Sequence, residues 1–330
     1  MSKLRLTFAC GPYDRMQPLM NATVVPEGVD LNFLPLDIEE ISWRQLKHQE
    51  FDCSEASFSS YIMFRSRGDD RFIAIPVFTS RSFRHSCVYI NVHKGIKEPP
   101  DLKGKTVGVP VYPMTAAVWA RGILQHMYGV HPRDIHWRGG GQETPGRVEK
   151  LKLELPADVD YQSVPLDKTL SRMLDEGEID ALFAARAPSC FMAGSPNVKR
   201  LFDDCSEVEE EYYQKTGIFP IMHVVVIKRT IYEANPWVPM SLYKACLASK
   251  NIALKNLDHT YALQVSLPWL MHHVSYTKKV MGEDWWPYGI EQNRQTIDAL
   301  CQYSFEQGLS ARRMSTEELF APETFDEFKI

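Results

Sequence analysis

Asp101–Val130, DLKGKTVGVPVYPMTAAVWARGILQHMYGV, reads as a strand, a turn and a helix in succession. Lys105 to Val109 alternates and is β-branched, so it is predicted as a short strand. Pro110 and Pro113 stop it. Thr115 is a good helix N-cap, and Ala116–Tyr128 then reads as a helix that ends at Gly129. Ala116, Ala120, Ile123 and Met127 fall on one face of that helix. A strand running straight into a helix start leaves backbone N–H groups facing a crevice, where open α/β sheets bind small anions.

The same alternation extends in both directions. Strands are predicted at Leu4–Ala9, Val29–Leu36, Phe72–Phe78, His85–Val92 and Ala181–Phe183, and within GIFPIMHVVVI (Gly217–Ile227). Helices are predicted at Ile38–His48 and Pro165–Glu176, then at Tyr232–Leu257, Thr260–Val274 and Arg294–Gln307. Strands alternating with helices, followed by a helical tail, indicate α/β architecture. The Gly/Pro/charged run GIKEPPDLKG after Lys94 is a natural crossover between two lobes.

The 330 residues allow one large or two medium domains, and 44% hydrophobic with 24% charged residues is a soluble globular composition. A net charge of -5 and the lack of a basic run with interleaved aromatics argue against a nucleic-acid partner. No apolar run approaches the roughly 18 residues of a membrane span, so no membrane partner is expected. The seven scattered cysteines form no CxxC pair and suit a reducing compartment. With no secretory pattern ahead of Leu4, a cytoplasmic location is expected.

Standard catalytic signatures fail. GKT at Gly104–Thr106 lacks the leading glycine of a P-loop, since residue 99 is Pro. There is no GxGxxG, GxSxG or HExxH, and no metal site is expected. SRSFRHS gathers Arg81, Arg84 and His85 just after an apolar strand, and arginine forks match carboxylates. Tyr13–Arg15 (YDR) and Ser54–Glu55 also sit at strand ends. His223 lies inside an apolar strand, either as a core residue or tuned for proton transfer. The aromatic loop containing Trp286 and Tyr288 is placed to cover a planar ligand or to pack between lobes.

Together these strings resemble the 4,5-dihydroxyphthalate decarboxylase family. The similarity is carried by YDR, SEASFSSY, AIPVFTSRSFRHSCVYIN, DLKGKTVGVP with MTAAVWARGILQHMYGV, PGRVEKL, TGIFPIMHVVVI and MGEDWWPYGIEQNR, from about Tyr13 to Phe320. Val111 and Pro113 depart from the family pattern, as do Ala56 and Phe58, and bear on the substrate more than on the reaction. The resemblance implies a two-lobed type 2 periplasmic-binding-protein-like fold, each lobe a mixed sheet flanked by helices, with a ligand cleft between the lobes. Residues 1–93 and 228–330 are expected in one lobe and 94–227 in the other. It also implies non-oxidative decarboxylation of a hydroxylated aromatic acid in phthalate breakdown, without a cofactor.

Such chemistry needs cations for the carboxylates, an acid for the ring carbon and an acceptor for the phenol proton. Arg84 and Arg81, with the helix start at Thr115, are expected to bind carboxylates. Glu55, His85 and His223 are the candidates for proton transfer, with Glu55 able to serve as acid if burial keeps it neutral. Asp14 and Arg15 would orient the substrate, Trp286 and Tyr288 would cover its ring, and Ser54, Met114 and Trp119 complete the expected contacts. Two other functions stay open: a cytoplasmic solute-binding or sensor protein for an aromatic acid, and another small-acid lyase on the same fold. The helical C-terminal third offers a face for a homo-oligomer or for packing within a lobe.

Overall fold

The computed structural model describes residues 3–147 and 153–325, so Val148–Leu151 of the PGRVEKL string lie outside the described residues. The chain divides into two units. The first is Met1–Arg81, Ile221–Ile297 and Met314–Ile330, and the second is Ser82–Pro220 and Asp298–Arg313.

The first unit opens with β1 (Leu4–Cys10), β2 (Val29–Pro35), β3 (Cys53–Ser57) and β4 (Phe72–Arg81). The second contains β5 (Val88–Asn91), β6 (Thr106–Val109), β7 (His136–Gly139), β8 (Tyr161–Ser163), β9 (Ala181–Phe183) and β10 (Val198–Arg200). The chain then returns to the first unit as β11 (Ile221–Lys228). The first sheet runs β2-β1-β3-β11-β4 and the second β10-β5-β9-β6-β7-β8. Both are mixed: β1 pairs parallel with β2 and β3, whereas β11 runs antiparallel to both β3 and β4. In the second sheet β6 pairs parallel with β7 and β9, and β5 antiparallel to β9 and β10. β4 and its neighbour β11 are buried, mostly apolar runs, as expected where both faces are covered.

Strand pairing, not linker composition, sets the unit boundaries. The predicted crossover after residue 93 falls instead at Arg81/Ser82, because β5 hydrogen-bonds to β9 and β10 in the second sheet. β11, predicted in the second lobe, belongs to the first because it fills the gap between β3 and β4. Asp298–Arg313, predicted in the first, belongs to the second.

Local readings hold where capping and periodicity agree. The helix Ile38–His48 has the predicted bounds, and Asp37 caps it by accepting from the Glu39 N–H at 2.8 Å. The helix Thr115–Tyr128 ends at Gly129 with φ 67°. Met114, not Thr115, occupies its N-cap, and Met127 is exposed. The predicted helix Tyr232–Leu257 breaks into Arg229–Ala234 and Val238–Asn256 around Pro236, which disfavours helix at the residue before it. The predicted helix Thr260–Val274 is irregular as far as Trp269, and Leu270–Met281 is the helix. Tyr261, Leu263, Val265, Leu267 and Trp269 alternate with a period of two, and Pro268 interrupts them. Among the described residues no helix is long and apolar enough to cross a membrane.

Candidate active site

β3 lies in the middle of the first sheet, and alternation along it sends successive side chains to opposite faces. Ser54 and Glu55, adjacent in sequence, therefore do not share a surface. Both are fully buried.

A buried carboxylate must be saturated with donors, and Glu55 is. Its Oε2 accepts the Gly11 N–H at 2.9 Å and the Cys10 thiol at 3.5 Å. Its Oε1 accepts the Tyr13 hydroxyl at 2.8 Å, the Thr79 hydroxyl at 3.0 Å and the His223 Nδ1–H at 2.6 Å. Burial alone would raise the Glu55 pKa. The charge and hydrogen bond of His223, with the Gly11 and Tyr13 donors, outweigh it and hold the carboxyl down at about 2. Glu55 is thus ionised at neutral pH, which corrects the expectation that burial would keep it as a neutral acid. Burial, then the neighbouring Glu55 charge, push the Tyr13 phenol and the Cys10 thiol upward, so both remain protonated donors.

His223 comes from β11, where the register with β4 slips on either side of it. Against β3 the register is unbroken, with His223 opposite Ser57 and Val225 opposite Glu55, so strand alternation puts His223 on the same face as Glu55. With Glu55 a carboxylate, Nδ1 carries the shared proton and Nε2 is the nitrogen left for another partner. His223 is 18% exposed where Glu55 is 0% exposed, so the pair has a closed end and an accessible end.

Arg15 forms a wall beside this pair. Its guanidinium carbon stands 4.2 Å from the ring centres of both Tyr13 and Trp286. Nε donates to the Thr79 carbonyl at 2.7 Å, Nη2 donates to the same oxygen, and Nη1 donates to Asp14 at 3.0 Å. Asp14 is a surface partner of Arg15. The Trp286 indole N–H donates to the Phe78 carbonyl at 2.9 Å.

Arg81, expected to bind a substrate carboxylate, instead holds the aromatic loop. Its Nη2 donates to the Pro287 carbonyl at 2.8 Å and to Asn293 Oδ1. Tyr288, expected to cover the substrate ring, is buried in the core of the first unit, with the Lys250 ammonium 5.4 Å from its ring centre.

The remaining expected residues belong to the second unit. His85 is buried edge-on to Phe202 and Tyr212, with ring centres at 5.3 and 5.2 Å. Neither ring nitrogen has a hydrogen-bond partner, and burial pushes its pKa down to about 4. A neutral imidazole enclosed by aromatic rings, with neither nitrogen reaching a partner, is a poor proton donor, so His85 is withdrawn as the acid. Arg84 is half-buried, and burial lowers its pKa against the opposing pull of Cys87 and Glu209. Met114 is half-buried ahead of the helix, while Thr115 is buried as its first residue. Trp119 is fully buried, edge-on to Tyr303 at 5.5 Å, which makes it core and not a ligand contact.

Compared with known proteins, the chain is 44% identical over 330 residues to 4,5-dihydroxyphthalate decarboxylase of Comamonas testosteroni, covering 100% of both chains. The chain belongs to the 4,5-dihydroxyphthalate decarboxylase family. A second relative of that name, from Pseudomonas putida, is 44% identical over 214 residues, 65% of this chain and 83% of its own. No family model matches. Among solved structures, the periplasmic aliphatic sulphonate binding protein SsuA from Escherichia coli superposes with a TM-score of 0.56 at 13% identity, covering 98% of this chain and 99% of its own. A putative sulfonate-binding protein from Methylobacillus flagellatus gives 0.54 at 12% identity, covering 98% and 93%. This family member therefore has the periplasmic-binding-protein fold, as its sequence motifs implied.

In this decarboxylase-family chain, sequence reasoning missed Tyr13, Gly11, Thr79 and Cys10 as neighbours of Glu55. Tyr13 stands in the YDR motif, two residues beyond Gly11, and that spacing was the available signal. Thr79 carried none, because a threonine ending an apolar strand is ordinary.

Proposed function

We propose that this chain is a carboxy-lyase acting on a hydroxylated aromatic dicarboxylic acid, with 4,5-dihydroxyphthalate as substrate and protocatechuate and CO2 as products. The observation that carries the reading is the full-length 44% identity to a protein of that name. The Glu55–His223 pair supports a mechanism without a cofactor. Protonated His223 passes the Nε2 proton to the ring carbon bearing the departing carboxylate. The hydroxyl para to that carbon feeds electron density into the ring and stabilises the cation. The carbon–carboxylate bond then breaks, its electron pair restores the aromatic ring, and CO2 leaves. One proton is consumed for each CO2 released.

Glu55 has two roles in this scheme. It fixes the Nδ1–H tautomer, and its charge stabilises the imidazolium that precedes transfer. Arg84 is retained as a candidate for the acid substituents on its residue type, since a guanidinium fork matches a carboxylate. We place the protein in the cytoplasm, in aromatic-acid breakdown, a reading supported by its seven free thiols.

The test is incubation with 4,5-dihydroxyphthalate in chelator-containing buffer, following CO2 and protocatechuate. In D2O the product should carry one deuterium at the vacated ring carbon. Saturable binding with the acid recovered unchanged would make the chain a binding protein instead.

A further inference from the structure

Lys250 sits within the helix Val238–Asn256 with its side chain 1% exposed. A buried ammonium costs more than a well-packed apolar side chain of the same size unless something specific requires it. Its Nζ lies 2.9 Å from both carboxylate oxygens of Asp284. Burial lowers its pKa, and Asp284 works against that shift. Asp284 opens the aromatic loop, and its Oδ1 also accepts the Trp286 N–H at 3.3 Å. Trp286 forms one face of the Arg15 sandwich, Tyr13 forms the other, and the Tyr13 hydroxyl binds Glu55. Ser249, next to Lys250 on the same helix, donates to the Arg15 carbonyl at 2.8 Å. One turn of helix thus grips both ends of the stack.

We propose that Lys250 is a positioning residue: by clasping Asp284 it sets Trp286 against Arg15 and Tyr13, and so fixes the Glu55–His223 pair. This inference rests on the proposed function for its kinetic consequence, but not for the clasp itself. Asp284 has a side chain 42% exposed. When Lys250 is removed, Asp284 can be rehydrated in place, so the loss should fall on loop geometry and not on folding.

The experiment compares Lys250→Met, Lys250→Arg and the double variant Lys250→Met/Asp284→Asn with the parent protein. Thermal midpoints, hydrogen exchange of the loop peptide Asp284–Gly289 and steady-state kinetics on 4,5-dihydroxyphthalate are measured. The Gly289 N–H is a built-in reporter, since it donates to the Pro76 carbonyl at 2.9 Å. Lys250→Met should keep its midpoint within a few degrees and exchange the loop amides faster. It should lower kcat about tenfold with KM within about twofold, as misplacement of a catalytic pair does. Lys250→Arg should recover part of kcat, and the double variant should be no worse than Lys250→Met, because both substitutions disable one device. Parent-like exchange together with parent-like kcat in Lys250→Met would overturn the proposal. If the parent protein itself turns over no aromatic acid, the functional reading fails, and the exchange comparison alone still decides on the clasp.

Discussion

The ring of Tyr13 fills the space that a Cβ on Gly11 would need, with ring atoms 2.7 and 2.8 Å from that position. The glycine and the tyrosine thus form one device. Gly11 gives Glu55 its N–H and lets the Tyr13 ring fold back, so that the hydroxyl reaches the same carboxylate.

Gly11→Ala should therefore act through Tyr13. The clashing atoms are at the far end of a side chain that can swing away, so stability should change little. The hydroxyl would leave Glu55, and kcat/KM should fall by about the same factor as in Tyr13→Phe, on the order of tenfold for one lost charge-assisted hydrogen bond. Steady-state kinetics on both variants and on the double variant check this. Additive losses in the double variant would separate the two residues.

His223→Gln keeps an N–H donor for Glu55 but removes the transferable proton. A loss of about 10²–10⁴ in kcat is expected for a general acid. The shape of the pH–rate profile should change with it. A variant that keeps the parent profile would return His223 to a structural role.

Arg84→Ala should lower kcat/KM at least about tenfold through loss of a contact of roughly 1.5–3 kcal/mol. Arg81→Ala should behave differently. Arg81 holds Pro287 and Asn293, so its removal should lower the thermal midpoint along with the activity.

Acid should destabilise the two units in separate pH windows. His85 is pushed from 6.5 down to about 4 by burial. The unfolded chain binds this proton first, so stability is lost as pH falls from about 6.5 to 4. Glu55 is lowered from 4.5 to about 2, so its contribution is present above 4.5 and is lost as pH falls from there toward 2. Each shift corresponds to about 3 kcal/mol when complete. Urea unfolding between pH 7 and pH 3 should show both slopes. His85→Phe should flatten only the upper one, and Glu55→Gln only the lower.

Composition, capping and periodicity were enough for most elements and for the α/β class. Asp37, Gly129 and the run at Ala181–Phe183 act over a few residues, and their effects are local. Readings failed where a proline or a distant strand intervened. Pro236 and Pro268 interrupt predicted helices, and β11 joins β3 and β4 from more than a hundred residues away in sequence. At the site, Glu55, His223 and Arg15 were legible as polar residues in or beside strands. His85, Trp119, Tyr288 and Arg81 looked equally suited, because a sequence shows residue type but not which face a side chain takes.

By itself, then, the sequence determined the elements, the family and the polar groups available for chemistry, since these follow from short-range backbone preference and side-chain type. Only the tertiary structure decided which carboxylate meets which imidazole. Burial, strand register and the room left by Gly11 make Glu55 an anion beside His223, and the same burial leaves His85 neutral among aromatic rings. Each of these depends on contacts between residues far apart in the chain.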